Sequence, residues 1–380
     1  MTLASTSRRK SKRKPLNVLV LAPRAESADA AIDYYYDFSQ NFAEFERAFA
    51  SLGVDWSWQL ATSRSYREVI DAFLRDAGAS SPIVFNMCDG DETNDVPGIA
   101  VIHYLDSIGV PYTGANAAFY QATTSKIDMK RAFDAAGVST SPWQAIGPTL
   151  RGTASLFKRL GTPLILKPAV SAGSMGITVK SVVDTPEALR EQVKELYAGY
   201  HGWDLAGGGL FVERYIAGPE FTTFIVGSAV DPDRAVIYPP VERVFHAALP
   251  PNEKFLSFDR LWEVHEREQP LADGKSLWEY EPAPATLRER IESVSWAAYA
   301  AVNGHGYGRV DLRMDAETGD LHVLEVNAQC GLSEDENYTS IGAILRYANR
   351  SFAEMVQQVV ENAVMAHPQA GRRARTARLS

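Results

Sequence analysis

The chain has 380 residues, 46% of them hydrophobic and 22% charged, which excludes a wholly disordered chain, a coiled coil and a collagen. Its length asks for two or three domains rather than one core. The net charge of −9 hides a split: taking away six cations in residues 1–14 and four in residues 371–380 leaves −19 on residues 15–370. That acidic body argues against a nucleic-acid partner.

The basic ends read as solvated, disordered tails at residues 1–14 and 367–380, with a targeting role for RRKSKRK as the weaker alternative. The start lacks the apolar stretch of a secretory signal, and no apolar run approaches the roughly 18 residues of a membrane span. Cys88 and Cys330 cannot build a disulfide framework. A reducing, cytoplasmic location and no membrane partner are expected.

In chain order, NVLVLAP reads as a buried first strand and residues 40–52 as a helix with Phe42, Phe45, Phe49 and Leu52 on one face. VDWSWQL alternates like a strand, SYREVIDAFLRDAG is a helix stopped at Gly78, and SPIVFNM is a further apolar strand. GIAVIHYLDSIG is a helix and VPYTG a short strand and turn. Strands alternating with helices imply a parallel, doubly wound sheet and an α/β class.

SKIDMKRAFDAAG then reads as a helix, PLILKPAV as a strand and TPEALREQVKELYA as a helix. GLFVERYIAG and PEFTTFIVG are strand-like. Residues 228–290 show no clear period and read as loops and short strands, a mobile lid. Residues 286–303 are helical, GYGRVDLRMDAETGDLHVLEVNA is two strands around a turn, and residues 350–366 form a last helix.

That hairpin is the most informative segment. A turn centred on Thr318 sets Asp311 opposite Glu325 and Arg309 opposite Asn327, and all four then share one face. Val310, Leu312, Leu324 and Val326 fall on the other. Facing carboxylates repel unless a cation lies between them. Asp, Glu and Asn offer hard oxygens suited to Mg²⁺ or Mn²⁺. A solvated face of mixed charge fits the same alternation.

Lys167 ends the strand LILK before Ser171-Ala172-Gly173-Ser174-Met175-Gly176, a loop small enough for backbone N–H groups to approach a phosphate. It is neither GxxxxGK[ST] nor GxGxxG. Lys126 opens a helix nearby. VERYIAGPEF offers Glu213 and Glu220 for an adenine amino group and ribose hydroxyls.

In this order, GVPYTG, Lys126, PLILKPAVSAGSMGI, FVERYIAGPEFT, GRVDLRMD and HVLEVNAQCGL resemble the ATP-grasp superfamily, in particular its D-alanine–D-alanine ligase-like branch, over roughly residues 80–365. The resemblance implies an ATP-grasp fold behind an N-terminal Rossmann-like parallel sheet, with units at residues 15–115, 116–208 and 209–366. It implies an ADP-forming ligase that joins a small-molecule carboxylate to an amine through an acylphosphate, with ATP and Mg²⁺ or Mn²⁺, and a homodimer.

Matched motif by motif, Lys126, Lys167 and Ser174 would lie at the phosphates, Glu213 and the Ile216 backbone at adenine, and Glu220 at the ribose. NEKFLSF would bring Lys254 to the γ-phosphate. Asp311, Glu325 and Asn327 would hold the metal, Arg309 the developing negative charge, and the Gly331 N–H the reacting carboxylate. Glu26, Ser333 and Glu336 are the substrate candidates.

The chain departs from the branch at both substrate ends. APRAESADAA replaces a glycine-rich first loop, Met87-Cys88-Asp89-Gly90-Asp91 replaces a histidine-containing stretch, and Ser333-Glu334-Asp335-Glu336-Asn337-Tyr338 replaces a serine-leucine pair. These departures lead to the expectation of a product other than D-Ala-D-Ala, with a basic or amine-bearing substrate beside the acidic loop. D-alanine–D-alanine ligase itself and a non-catalytic ATP-binding protein are the alternatives.

Overall fold

The computed structural model describes residues 15–26, 32–92, 95–150, 152–199, 202–262, 268, 270, 271 and 274–367. The basic ends lie outside these residues, except that His367 closes the last helix by accepting that place from the expected tail.

The chain opens with β1 (Leu16–Pro23), α1 (Ile32–Tyr35), α2 (Ser39–Leu52), β2 (Asp55–Ala61), α3 (Tyr66–Asp76), β3 (Ser81–Asn86) and α4 (Ile99–Ile108). The strands form a parallel sheet in the order β2-β1-β3. Because β1 and β3 are apolar at consecutive positions, both faces can be covered. Val18, Val20 and Phe85 pack with Phe45 and Phe49 of α2 on one side. Leu19, Leu21 and Val84 pack with Ile70 of α3 and Leu105 of α4 on the other. The doubly wound expectation holds. VPYTG makes a single bridge, Val84 with Tyr112, and no strand.

Next come α5 (Ala117–Thr124), α6 (Lys126–Ala136), β4 (Trp143–Ile146), α7 (Thr153–Leu160), β5 (Leu164–Pro168), β6 (Val182–Val183), α8 (Pro186–Ala198) and β7 (Leu210–Arg214). The four strands form an antiparallel sheet, β4-β7-β5-β6, with its own core of Leu164, Leu166, Leu189, Val193 and Val212. The sequence reading has no counterpart for α5, β4 and α7, which span eight, four and eight residues and are too short for a period to emerge. β7 pairs with β4 and β5, so this sheet runs on to Arg214, past residue 208.

The last part holds β8 (Glu220–Ser228), β9 (Asp231–Ile237), β10 (Val241–Phe245), α9 (Phe258–Trp262), β11 (Trp278–Pro282), α10 (Ala285–Ala301), β12 (Tyr307–Met314), β13 (Leu321–Ala328), α11 (Ser340–Tyr347) and α12 (Phe352–Ala366). Six strands form one sheet along β11-β10-β8-β12-β13, with β9 beside β8. Within residues 228–290 lie the short strands β9, β10 and β11, with loops and α9 between them, as expected.

The hairpin register is as expected at Arg309–Asn327 and Asp311–Glu325, but slips between Asp311 and Leu312, where Leu312 meets Val323. Leu324 is the extra residue of this β-bulge. It is half-buried, and Val323, fully buried, takes the core place expected for Leu324.

The parallel and six-stranded sheets share their cores. Phe119 of α5 and Tyr299 of α10 sit between them at 5.1 Å, and Phe352 of α12 meets Phe45 of α2 at 5.3 Å. Gln329, 2% exposed, ties the junction: its Nε2 donates to the Asn86 carbonyl at 2.8 Å and its Oε1 accepts from the Ala115 N–H at 2.7 Å. Gly114, at φ +89°, leaves the room, since a Cβ there would lie 1.6 Å from Gln329 Oε1. Gly114→Ala combines left-handed strain of about 1–2 kcal/mol with loss of the Gln329 bonds at about 1 kcal/mol each. Thermal unfolding should show a clearly lower midpoint for Gly114→Ala than for Gly319→Ala, where φ is +73° and nothing lies within 4 Å.

Candidate active site

One face of the six-stranded sheet carries charge. Arg309 and Asp311, two apart on β12, point the same way, and the guanidinium donates to both Asp311 oxygens through Nε at 3.1 Å and Nη2 at 2.9 Å. Asn327 Nδ2 reaches Asp311 Oδ2 at 3.0 Å, and Thr222 of β8 donates to Asp311 Oδ1 at 2.9 Å. Glu325 is met by the Lys126 ammonium at 3.4 Å. Burial alone would raise the Glu325 carboxyl, but Lys126, Arg309 and Lys167 outweigh it and hold it below the usual range. The mutual repulsion of Asp311 and Glu325 is thus met by a guanidinium on one side and an ammonium on the other.

The same face continues sideways as a ladder. Glu220 of β8 lies in register with Arg243 of β10 and Arg313 of β12. Arg313 gives Nε and Nη2 to Glu220 Oε2 at 3.1 and 2.8 Å, and Arg243 bonds Glu220 Oε1. Glu220 is 6% exposed. Its burial favours the neutral acid, yet Arg243 and then Arg313 draw its pKa down. Arg313 also donates to the Ile216 carbonyl at 3.0 Å and to the Lys254 carbonyl, and stacks 5.0 Å from the Tyr215 ring centre. One buried guanidinium therefore joins Glu220, Ile216 and Lys254. The sequence reading stopped at Asp311, although Arg309, Asp311 and Arg313 alternate on β12 and the signal was there.

The central sheet supplies a second charged group. Glu213 of β7, 1% exposed, lies between Lys130 Nζ at 2.6 Å and Lys167 Nζ at 2.8 Å. Burial raises the Glu213 carboxyl, but Lys130 and Lys167 overcome this and bring it to about 2. Burial lowers the Lys130 ammonium despite the same contact. Lys130, also donating to Thr140 Oγ1 at 2.7 Å, is a residue the sequence reading missed, because a lysine inside an amphipathic helix looks solvated. The Glu213 carboxylate, expected at adenine, is taken up by the two lysines, and its effect is to orient Lys167.

The glycine loop lies against the segment that carries Lys254. Ser174, at φ +58°, donates its hydroxyl to the Leu256 carbonyl at 3.0 Å, and the Phe258 N–H donates to the Ile177 carbonyl at 2.8 Å. Trp262 Nε1 donates to the Gly173 carbonyl at 2.9 Å, and Tyr34 OH donates to the Trp262 carbonyl at 2.7 Å. Lys126 Nζ holds the Ser171 carbonyl at 2.8 Å as well as Glu325. Lys126, Glu325, Asn327, Asp311 and Arg309 are thus linked in one run of contacts, the Ser174 loop lies beside the segment that carries Lys254, and Lys167 is held separately by Glu213.

The substrate candidates fall elsewhere. Glu26 is 47% exposed and 3.7 Å from Arg64. Ser333 donates to Glu44 Oε1 at 2.8 Å, a buried carboxyl on α2 raised by burial. Glu336 is 49% exposed and 3.6 Å from Arg346. Gly331 is open to solvent. The acidic loop is occupied by its own chain: Glu334 pairs with Arg47 at 2.5 Å, and Asp335 accepts the N–H groups of Asn337 and Tyr338 at 3.0 and 3.1 Å. It offers no ground for a basic substrate. Burial pushes the Cys330 thiol up to about 12, which leaves it protonated and not a nucleophile.

Asp311, Glu325 and Asn327 form an open oxygen set that fits Mg²⁺, which takes few protein ligands and completes its shell with water and phosphate. The pairing of Glu213 has a pH signature. Its folded pKa of about 2 lies below the ordinary 4.5, so its stabilisation is complete above pH 4.5 and fades as pH falls toward 2. Glu213→Gln should lower the thermal midpoint at neutral pH and should lose less of it on acidification through that window than the parent does.

Residues 133–361 match the family described as D-ala D-ala ligase C-terminus. Over 280 residues the chain is 26% identical to D-alanine--D-alanine ligase B of Xanthomonas campestris pv. campestris, covering 73% of this chain and 77% of that protein. It is equally similar, at 26%, to the D-alanine--D-alanine ligase of Xanthomonas axonopodis pv. citri. Among solved structures, the D-alanine–D-alanine ligase of Bacillus anthracis superposes with a TM-score of 0.63 at 18% identity, covering 94% of this chain and 99% of that one. That of Coxiella burnetii gives 0.64 at 16%, covering 96% and 100%. The length of the family match, more than half the chain, together with the sheet order and the shared overall fold, means that this chain belongs to the D-Ala–D-Ala ligase family, ADP-forming carbon–nitrogen ligases of the ATP-grasp superfamily.

Proposed function

We propose that the chain is a D-alanine–D-alanine ligase, which reverses the expectation of a different product. The observation that carries ATP-dependent ligation is the connected face of Arg309, Asp311, Glu325 and Asn327 beside Lys126. The choice of product rests on the relatives, both named D-alanine--D-alanine ligase, and on the acidic loop being held by Arg47, Arg346 and its own turn. A neighbour of the same fold is solved in complex with ATP, which favours ATP as the phosphoryl donor.

In this reading, the carboxylate of one D-alanine attacks the γ-phosphorus, a new O–P bond forms, and the bond to ADP breaks. The amine of the second D-alanine attacks the acyl carbon, loses a proton to solvent, and inorganic phosphate leaves with the acyl oxygen's electron pair. Lys126 and Lys167 face the phosphates, with Lys167 oriented by Glu213. Ser174 and Lys254 cover the β- and γ-phosphates from opposed segments. Ile216 presents backbone to adenine. Glu220, fixed by two arginines, keeps lone pairs for a ribose hydroxyl. Arg309 stabilises the tetrahedral oxyanion, aided by the Gly331 N–H. Asp311, Glu325 and Asn327 would hold Mg²⁺, which neutralises phosphate charge when bound. Glu26, Ser333 and Glu336, engaged with Arg64, Glu44 and Arg346, take no part in this reading. No helix among the described residues is long and apolar enough to cross a membrane.

The contacts between the glycine loop and α9 shield the acylphosphate from water. D-alanine-dependent ADP release coupled to dipeptide formation tests the reading; absence of both would overturn it. Arg309→Ala should lower kcat by about 10²–10³-fold, as loss of an oxyanion donor does, with the circular dichroism spectrum unchanged. Trp262→Ala should loosen the lid, and the ratio of ADP released to dipeptide formed should rise above that of the parent.

A further inference from the structure

Lys254 stands at the apex of a tight turn. It follows the 3₁₀ turn Pro251–Glu253, and its φ of −78° and ψ of 69° are those of the central residue of an inverse γ-turn. The Phe255 N–H closes that turn on the Glu253 carbonyl at 2.9 Å. All three carbonyls of the turn are bound by guanidinium groups. Arg313 takes the Lys254 carbonyl. Arg260, on α9, takes the other two, donating from Nη1 to the Glu253 carbonyl and, at 3.3 Å, to the Phe255 carbonyl.

Arg260 is itself fixed on every side. It is 6% exposed, its Nη2 donates to Glu253 Oε2 at 3.2 Å, and its Nε lies 2.7 Å from Glu268 Oε2. Glu268 is buried and anchored in turn. Its N–H donates to Asp259 Oδ2 at 2.8 Å, and its Oε1 accepts from the Val179 N–H at 3.4 Å. Two carboxylates thus offset the burial of one cation. The arrangement uses Nε, Nη1 and Nη2 at once. A planar guanidinium can do this, whereas a lysine ammonium, a single point on a flexible stem, cannot reach two carbonyls and two carboxylates together.

The turn is also placed between the two sides of the candidate site. Through Arg313 its apex shares a cation with Ile216 and Glu220. The residues after it meet the glycine loop, by Ser174 on the Leu256 carbonyl and by the Phe258 N–H on the Ile177 carbonyl. Phe255, buried, packs with Ile165 and Ile177 and lies 6.0 Å from the Tyr215 ring. In contrast, the Lys254 side chain is half-buried, and among the described residues its ammonium has no hydrogen bond or ion pair. Two arginines therefore hold the backbone around a lysine whose own charge is left unpaired.

We propose that Arg260 is a positioning residue for phosphoryl transfer: it fixes the turn of Lys254 so that the ammonium meets the γ-phosphate without further ordering. The inference rests on the assignment of Lys254 made above. Arg260 touches no part of the nucleotide in this scheme and acts only through Lys254.

Binding of ADP compared with that of a non-hydrolysable ATP analogue, each with Mg²⁺ and the full chain, isolates the γ-phosphate, because general loosening of the site weakens both. Lys254→Ala should cut the preference for the analogue over ADP about 10- to 100-fold, the value of a hydrogen bond to a charged group. Arg260→Lys should cut it about tenfold while ADP binds within about threefold of the parent. The double variant Lys254→Ala/Arg260→Lys should lie within about twofold of Lys254→Ala, since nothing remains to be positioned. An Arg260→Lys preference equal to the parent's overturns the proposal. So do losses that multiply in the double variant, which mark a role independent of Lys254, and so does a Lys254→Ala preference equal to the parent's. If Arg260→Lys no longer binds ADP, Glu268→Gln carries the test, since it removes the carboxylate at Nε and leaves the guanidinium. A smaller fall in the same preference supports the proposal, and no fall overturns it. None of these measurements uses an amino acid, so a failure of the D-alanine reading, seen as no dipeptide from the parent, leaves their outcome unchanged.

Discussion

Charges buried in a sheet must be matched locally, because an unpaired one costs several kcal/mol. The six-stranded sheet meets this condition with side chains in register across neighbouring strands. Glu220 has an arginine on each side, and Asp311 has Arg309, Asn327 and Thr222. The placement of Ile216 and Lys254 follows, since both are held through Arg313. Remove the pairing and the strands would still have an apolar face, but the Arg313 bonds to Ile216 and Lys254 would be lost.

Much of this was legible in the sequence wherever period and chemistry agreed. The hairpin's alternation fixed which acids oppose each other, and the apolar runs of β1 and β3 announced a sheet covered on both faces. The bulge at Leu324 was not legible, because an inserted residue changes the phase of a strand without changing its composition. Nor were Lys130 and Arg243. Each is a long cation that a sequence places at the surface by default, and only the fold brings Glu213 and Glu220 to them. The acidic loop misled for the same reason. Three acids in a row look like a binding feature until Arg47 arrives from α2 and Arg346 from the helix that follows the loop.

The candidate site is assembled from three elements. The glycine loop belongs to the central sheet, Lys254 to a segment leading into α9, and Asp311, Glu325 and Asn327 to the hairpin. Lys126 bonds both the loop and the hairpin, so its ammonium registers their separation. Tyr34 and Tyr35 approach Trp262 from the first unit, which adds an aromatic edge over the same opening.

Gln329 gives this assembly a mechanical character. By bridging Asn86 and Ala115 it fastens the exit of the hairpin to the end of β3, and the cores of the parallel and six-stranded sheets run together behind it. Those two sheets behave as a single anvil. The four-stranded sheet has a separate core and meets that anvil through the Arg214–Asp315 pair at 3.0 Å and through the Thr140 hydroxyl, which donates to the Val323 carbonyl at 2.8 Å. The seam inside the anvil is therefore apolar core, whereas its seam with the four-stranded sheet includes an ion pair and a hydrogen bond.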